Sequence, residues 1–244
     1  SADVIAIGET VHGSSAFLGI QARLIRYLVA NHGLRLIVWE NPALRSLEFA
    51  RWVSSCTKAR TPAPIAVLYM PTTADLPLWD WVCNYNLARP SDPIVFRGMD
   101  IWDRPWEHYA RIRALGTAAG IAPLVIKNIE TSCPAMQSSS WPEIDMVLGQ
   151  QQHDGKVFPE AGYERCRAHL NTLLNTARQS GMEKKRKKES GSDDAFELAI
   201  SAATMLGWLG FYHHERSDDI LSWNERDRAQ GRNLMLMMEK HDAK

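Results

Sequence analysis

The residues best suited to chemistry stand in one short stretch, Gly8-Glu9-Thr10-Val11-His12-Gly13, directly behind the apolar run Val4-Ile5-Ala6-Ile7. The run has the makeup of a buried parallel strand, and in open α/β sheets ligands collect outside the carboxyl ends of strands. A second apolar segment closes on Trp39-Glu40-Asn41-Pro42, and a third on Arg97-Gly98-Met99-Asp100. If these strands are neighbours, Glu9, His12, Glu40 and Asp100 meet at one edge of the sheet. An imidazole takes a proton from water near neutrality, and a carboxylate beside it fixes its tautomer and steadies the imidazolium. Gly13 permits close backbone approach and leaves an amide free to bind an oxyanion. Against this, the Gly-Glu-x-x-His-Gly string is short, and an acidic residue at a strand end is commonly a helix N-cap. Spacing alone leaves the two readings level. The recurrence of acidic residues at successive strand ends favours function.

The same side chains would serve as ligands for a divalent ion, but no HExxH-like helical pair supports a metal site. His213 and His214 are adjacent, so in a helix they point about 100° apart, and they read as exposed residues near a helix end. Neither a Gly-rich phosphate loop nor a GxSxG elbow occurs, which disfavours nucleotide hydrolysis and serine-triad esterases. No metal and no cofactor is expected.

The elements that must position these groups follow from periodicity. Residues 17–32 carry Phe17, Ile20, Leu24, Tyr27 and Leu28 at helical spacing, Gly33 stands where a C-cap would be, and residues 34–39 read as a strand. Strand, helix and strand in about forty residues make a βαβ unit. Residues 43–55, 76–88, 105–115 and 164–180 read as helices, and residues 94–96 as the third strand. Two helices, 195–212 and 224–240, close the chain. Residues 61–73 are Pro-rich and loop-like, and residues 131–160 give no clean period. The charged segment 182–194 reads as a solvated surface loop or helix end rather than a nucleic-acid or nuclear-localisation signal. The fold expected is α/β, a central, largely parallel sheet flanked by helices in a single domain over residues 1–244.

Composition bounds the function. The chain has 244 residues, 45% hydrophobic and 23% charged, an ordinary globular composition that can bury a full core. Its 28 basic and 28 acidic side chains balance, which argues against nucleic acid as a partner. Apolar runs fall short of the ~20 residues that span a bilayer, so no membrane is expected either. The four cysteines (Cys56, Cys83, Cys133, Cys166) are widely spaced with no CxxC pair, and are read as reduced, buried thiols. A small-molecule substrate and a cytoplasmic location complete these expectations.

Taken in order, the motifs resemble the erythromycin esterases and their relatives. Ile7-Gly8-Glu9-Thr10-Val11-His12-Gly13, Leu24-Ile25-Arg26-Tyr27-Leu28-Val29 and Ile37-Val38-Trp39-Glu40 look like that family's opening signature. Residues 81–86 are similar to its W-x-R-x-Y-N segment, residues 96–100 to its G-x-D strand end, and residues 224–233 to its R-D-x-x-M-A-x-N helix. The resemblance implies a metal-independent hydrolase in which a histidine activates water against an ester or lactone, with no covalent intermediate. Carried over, His12 is the general base, Glu9 and Glu40 orient it or the water, and Arg226 with Asp227 supports the floor of the cleft. Asp100 and Gly13 join as supporting residues. Three departures stand out. Ala16 and Cys83 occupy positions where the family commonly has a glutamate and an arginine, and Gln21 lies near a frequent arginine. The family's second active-site histidine lies on an H-N-x-H strand that would follow Lys244, so the chain is expected to lack the C-terminal part of a longer domain. The alternatives are a non-catalytic relative that binds a ligand or partner, or a metal- or haem-binding protein on a similar fold.

Overall fold

The computed structural model describes residues 4–8, 14–56, 76–133, 160–214 and 219–242. In chain order they form α1 (Ser15–His32), β1 (Leu36–Pro42), α2 (Ser46–Ser55), α3 (Leu76–Ala88), β2 (Val95–Asp100), α4 (Pro105–Gly116), α5 (Pro123–Ser132), α6 (Glu160–Lys187), α7 (Ser192–His214) and α8 (Asp219–His241). The described chain is mostly helical, and β1 and β2 pair as a small parallel sheet. The expected run at residues 4–7 is not a strand here. Residues 4–8 have no regular structure, and Val4 and Ile5 are each 48% exposed. A strand exists through ladder hydrogen bonds, and apolar character alone does not supply them. The Pro-rich segment 61–73 lies outside the described residues.

Two compact units divide the chain, residues 1–98 with 241–244 and residues 99–240. In the first, Phe49, Trp79 and Phe96 meet edge to face with centroids 4.9–5.1 Å apart, and Ile25, Val29, Ile37, Val53, Val82 and Ile94 pack around them. Helix α1 ends because Gly33 takes a left-handed φ of 70°, which lets the Leu34 amide donate to the Leu28 carbonyl at 3.2 Å. The buried face of α1 differs from the expected one. Leu18, Gln21, Ile25, Leu28 and Val29 are buried, whereas Ile20, Leu24 and Tyr27 are exposed. Two apolar stripes lie on this helix, and periodicity does not say which one the core takes.

Helix α7 is the core of the second unit. By length and composition it could cross a membrane, yet its apolar window is 89% buried inside the fold, as befits a core helix. It packs against α4 and α6, and α5 packs on α6. Prolines 105 and 123 open α4 and α5 at positions where a missing amide costs nothing, and Asp193 and Asp194 favour the amino end of α7. The expected loop at 182–194 is mostly helix: α6 runs to Lys187 and α7 begins at Ser192. The lysines and arginine there sit in the last turn of α6, where cations suit the helix dipole.

The cysteines also differ from expectation. All four are bonded, Cys56 to Cys83 in the first unit and Cys133 to Cys166 in the second, and none is free. Separations of 27 and 33 residues hid this pairing, because distance along the chain says nothing about which helix ends meet.

Candidate active site

The carboxyl end of β2 is built from three residues with different jobs. Gly98 makes the approach possible: a β-carbon there would lie 2.6 and 2.7 Å from the Asn41 and Pro42 carbonyl oxygens and nearer still to the Ser46 hydroxyl. Only a residue without a side chain lets β2 pass so close to the end of β1. Met99 offers its carbonyl to the Asn233 side-chain amide at 2.9 Å. Asp100, 2% exposed, accepts the Arg226 guanidinium as a fork, Nε to Oδ1 at 3.0 Å and Nη2 to Oδ2 at 2.6 Å. The Ile101 amide donates to the same Oδ1 at 2.7 Å. A two-bond fork fixes the plane of the carboxylate as well as its position.

Helix α8 supplies the other half of this clamp. Arg226 and Asn233 are seven residues apart, two helical turns, so they share a face. Ala229 lies between them, fully buried, and packs with Ile101 and Phe211. A β-carbon on Gly207 of α7 would collide with it. Asn233, also fully buried, donates to the Thr204 hydroxyl at 3.0 Å as well. Trp102 and Trp223 hold the Arg226 guanidinium by cation–π contact at 5.8 and 5.5 Å, and Phe211 meets both indoles edge to face. Trp223 keeps half its surface in solvent.

Of the residues singled out from sequence, Asp100 and Arg226 are thus joined directly. Asp227, beside Arg226, faces solvent on α8. Glu40 is exposed near the end of β1, between Trp39, which packs edge to face on Trp79 at 5.5 Å, and the buried Asn41. Glu9, His12 and Gly13 lie outside the described residues. At the positions of family departure, Ala16 is exposed, Gln21 is buried, and Cys83 is consumed in its bond to Cys56. His213 stacks on Tyr163 at 3.7 Å and is half-buried, unlike the exposed residue expected.

Asn86, last residue of the W-x-R-x-Y-N segment, proves to be a fastener. Its amide donates to the Ile94 and Val53 carbonyls at 2.9 and 3.1 Å, and its oxygen accepts the Ile94 amide at 2.7 Å, tying α3 to the entry of β2 and the end of α2. Sequence reasoning missed a second buried pair, His108 with Asp103, Nε2 to Oδ2 at 3.1 Å. The carboxylate calls for the imidazole proton on Nε2. Among the described residues His108 Nδ1 meets no hydrogen-bond partner, and at 2% and 0% exposure neither side chain can touch a substrate without the fold opening. Near it, the Tyr109 hydroxyl donates to Glu130 at 2.5 Å, and burial first, then this bond, pushes its pKa up to about 12. Among the described residues no three His, Cys, Asp or Glu side chains converge as a metal-ligand set.

The family model described as erythromycin esterase matches residues 29–244. The chain belongs to the erythromycin esterase family. Three solved structures share this family member's fold. A protein from Bacillus cereus is 19% identical with a TM-score of 0.67, over 96% of this chain and 53% of its own. A succinoglycan biosynthesis protein is 14% identical with a TM-score of 0.65, over 95% and 52%. A mutant of the erythromycin esterase EreC in its open conformation is 16% identical with a TM-score of 0.54, over 93% and 55%. The chain therefore spans about half the length of these relatives. No curated protein matches it.

Proposed function

We propose that this family member works in a hydrolase, in which His12 activates a water against an ester or lactone of a small or medium-sized natural product. Glu9 and Glu40 orient that histidine or its water, and Gly13 offers an amide to the developing oxyanion. Asp100 and Arg226 act as the rigid support on which the carboxyl end of β2 is held. The observation that carries the reading is the Arg226–Asp100 fork, which unites two motif positions 126 residues apart in sequence. A support of this kind suits a site that needs fixed geometry, because catalytic orientation is lost when the scaffold beneath it moves. No serine or cysteine nucleophile is needed, since all four cysteines are bonded and no GxSxG elbow occurs.

The direct test is an ester and lactone hydrolysis screen on the protein, with His12→Ala and Glu40→Gln beside it. Loss of a water-activating base typically costs about 10²–10⁴-fold in rate, so His12→Ala should lose turnover by that much, with Glu40→Gln less affected. Turnover unchanged in both variants would overturn the assignment. A second reading rests on Ala16, Gln21 and Cys83, none of them charged where the family commonly carries charge. A cleft without those charges suits a relative that binds its ligand without hydrolysing it. Ligand binding that depends on His12 and Glu40, with no hydrolysis of any ester tested, would favour that reading.

A further inference from the structure

We propose that the four cysteines form two obligatory structural disulfides, Cys56–Cys83 and Cys133–Cys166, and that the protein is therefore built to mature in an oxidising compartment. The argument starts from a geometry that occurs twice. In each pair the first cysteine caps a helix and the second lies within the next described helix: Cys56 ends α2 and Cys83 is in α3, Cys133 ends α5 and Cys166 is in α6. The Cα–Cα distances, 5.3 and 5.1 Å, fall within the range of about 4.4–6.8 Å that a disulfide requires. The bridged cysteines are 27 and 33 residues apart in sequence, and each compact unit holds one bridge.

Two further observations separate this from four buried thiols that meet by accident. Cys56 has a φ of 46°, in the left-handed region, where a helix cap is usually glycine or asparagine because a β-carbon is disfavoured. A residue that keeps its side chain at such a position is held there by what the side chain does, and here it bonds Cys83. The chain also leaves no cysteine over: four residues make two pairs with no free thiol. Each bridge forms when two thiols give up two protons and two electrons to an acceptor disulfide, which departs as a dithiol. Cytoplasmic thiol pools run that exchange in the reducing direction, so the pairing points away from the cytoplasmic location expected from sequence. The bridges also differ in access. Cys56 and Cys83 keep 9% and 8% of their surface in solvent, Cys133 and Cys166 only 1% each, so a dissolved reductant meets the first bridge sooner.

The test is alkylation of the chain, prepared under oxidising conditions and unfolded without reductant, followed by intact-mass and peptide analysis. The expected result is no alkylated cysteine before reduction, four after it, and crosslinked peptides joining 56 with 83 and 133 with 166. Mild reduction of the folded protein should open Cys56–Cys83 first. Full reduction should lower the melting temperature by on the order of 10 °C, as expected when two loops of this length lose their closure. The paired variants Cys56→Ser/Cys83→Ser and Cys133→Ser/Cys166→Ser should each keep only part of that reductant-dependent shift. Free thiols in the oxidised preparation, any other pairing, or a melting temperature that reductant leaves unmoved would overturn the proposal. Should a paired variant fail to fold, the alkylation pattern of the unaltered chain still decides.

Discussion

Replacing Arg226 by methionine should destabilise the protein far more than the loss of an ordinary ion pair. The side chains of Asp100 and Arg226 are 4% and 14% exposed, and the carboxylate takes two bonds from the guanidinium and one from the Ile101 amide. Methionine fills much of the arginine's apolar stem but leaves the carboxylate with the Ile101 amide alone, in surroundings water scarcely reaches. Breaking a buried pair from one side costs about 3–5 kcal/mol, whereas an exposed pair is worth about 0–1 kcal/mol. The loss of the cation between Trp102 and Trp223 adds about 0.5–1 kcal/mol per indole. Asp100→Asn keeps an oxygen for the Ile101 amide and should cost less, about 1–3 kcal/mol.

Since neither partner then carries charge, the double variant should recover part of the loss. Guanidinium unfolding followed by far-ultraviolet circular dichroism and tryptophan fluorescence measures all three. At about 2–4 °C per kcal/mol for a chain of this size, a total loss of about 4–7 kcal/mol in Arg226→Met should lower the melting temperature by about 8–28 °C. A loss below about 1 kcal/mol in Arg226→Met, or a double variant whose cost is the simple sum of the singles, would refute the reasoning. Such a result would mean that water reaches the fork in solution, and its role as a rigid support would fall with it.

Two other perturbations probe the packing around the site. Gly98→Ala places a β-carbon against two backbone carbonyls that cannot move without parting the strand ends, so it should cost about 1–3 kcal/mol in a denaturant melt; full tolerance would show that β1 and β2 do not approach as described. Tyr109 should ionise near pH 12 in an ultraviolet titration, and Tyr109→Phe should remove that step. Its pKa is raised in the folded chain, so the stability it lends is complete below the unfolded value near 10 and falls as pH rises from there through 12. A Tyr109 step near the ordinary tyrosine value of about 10 would show that its hydroxyl is open to water.

The sequence made the helices legible where local chemistry marks their ends. Gly33 and Pro105 act within one turn of chain, and α1 ends and α4 begins beside them. It misjudged what depends on partners distant in sequence. Residues 4–7 have the residue types of a strand, but a strand is a relation to a neighbour, and that neighbour is not written in the run itself. The two apolar stripes of α1 are equally good as patterns, and Phe49, Trp79 and Phe96 decide between them. The cysteines failed for the same reason.

The motifs show a different limit. They were legible as a family pattern, yet the pattern does not announce the work of each position. Asn86, Gly98 and Asn233 stood in motifs without an assigned role and Arg226 as support for a cleft; in the fold Gly98, Arg226 and Asn233 fasten the strand end that carries Asp100, and Asn86 fastens the entry of β2. That outcome has a physical logic. A catalytic group tolerates little displacement, so the residues that immobilise its support are as restricted in type as the group itself. Gly98 must lack a side chain, Asn233 must offer its amide to both Met99 and Thr204, and Arg226 must fork onto Asp100. A motif read from sequence therefore marks the rigid frame of a site as readily as its chemistry. Here the frame is what Asp100 and Arg226 define, while the chemistry is what the proposal above assigns to His12 and its acidic partners.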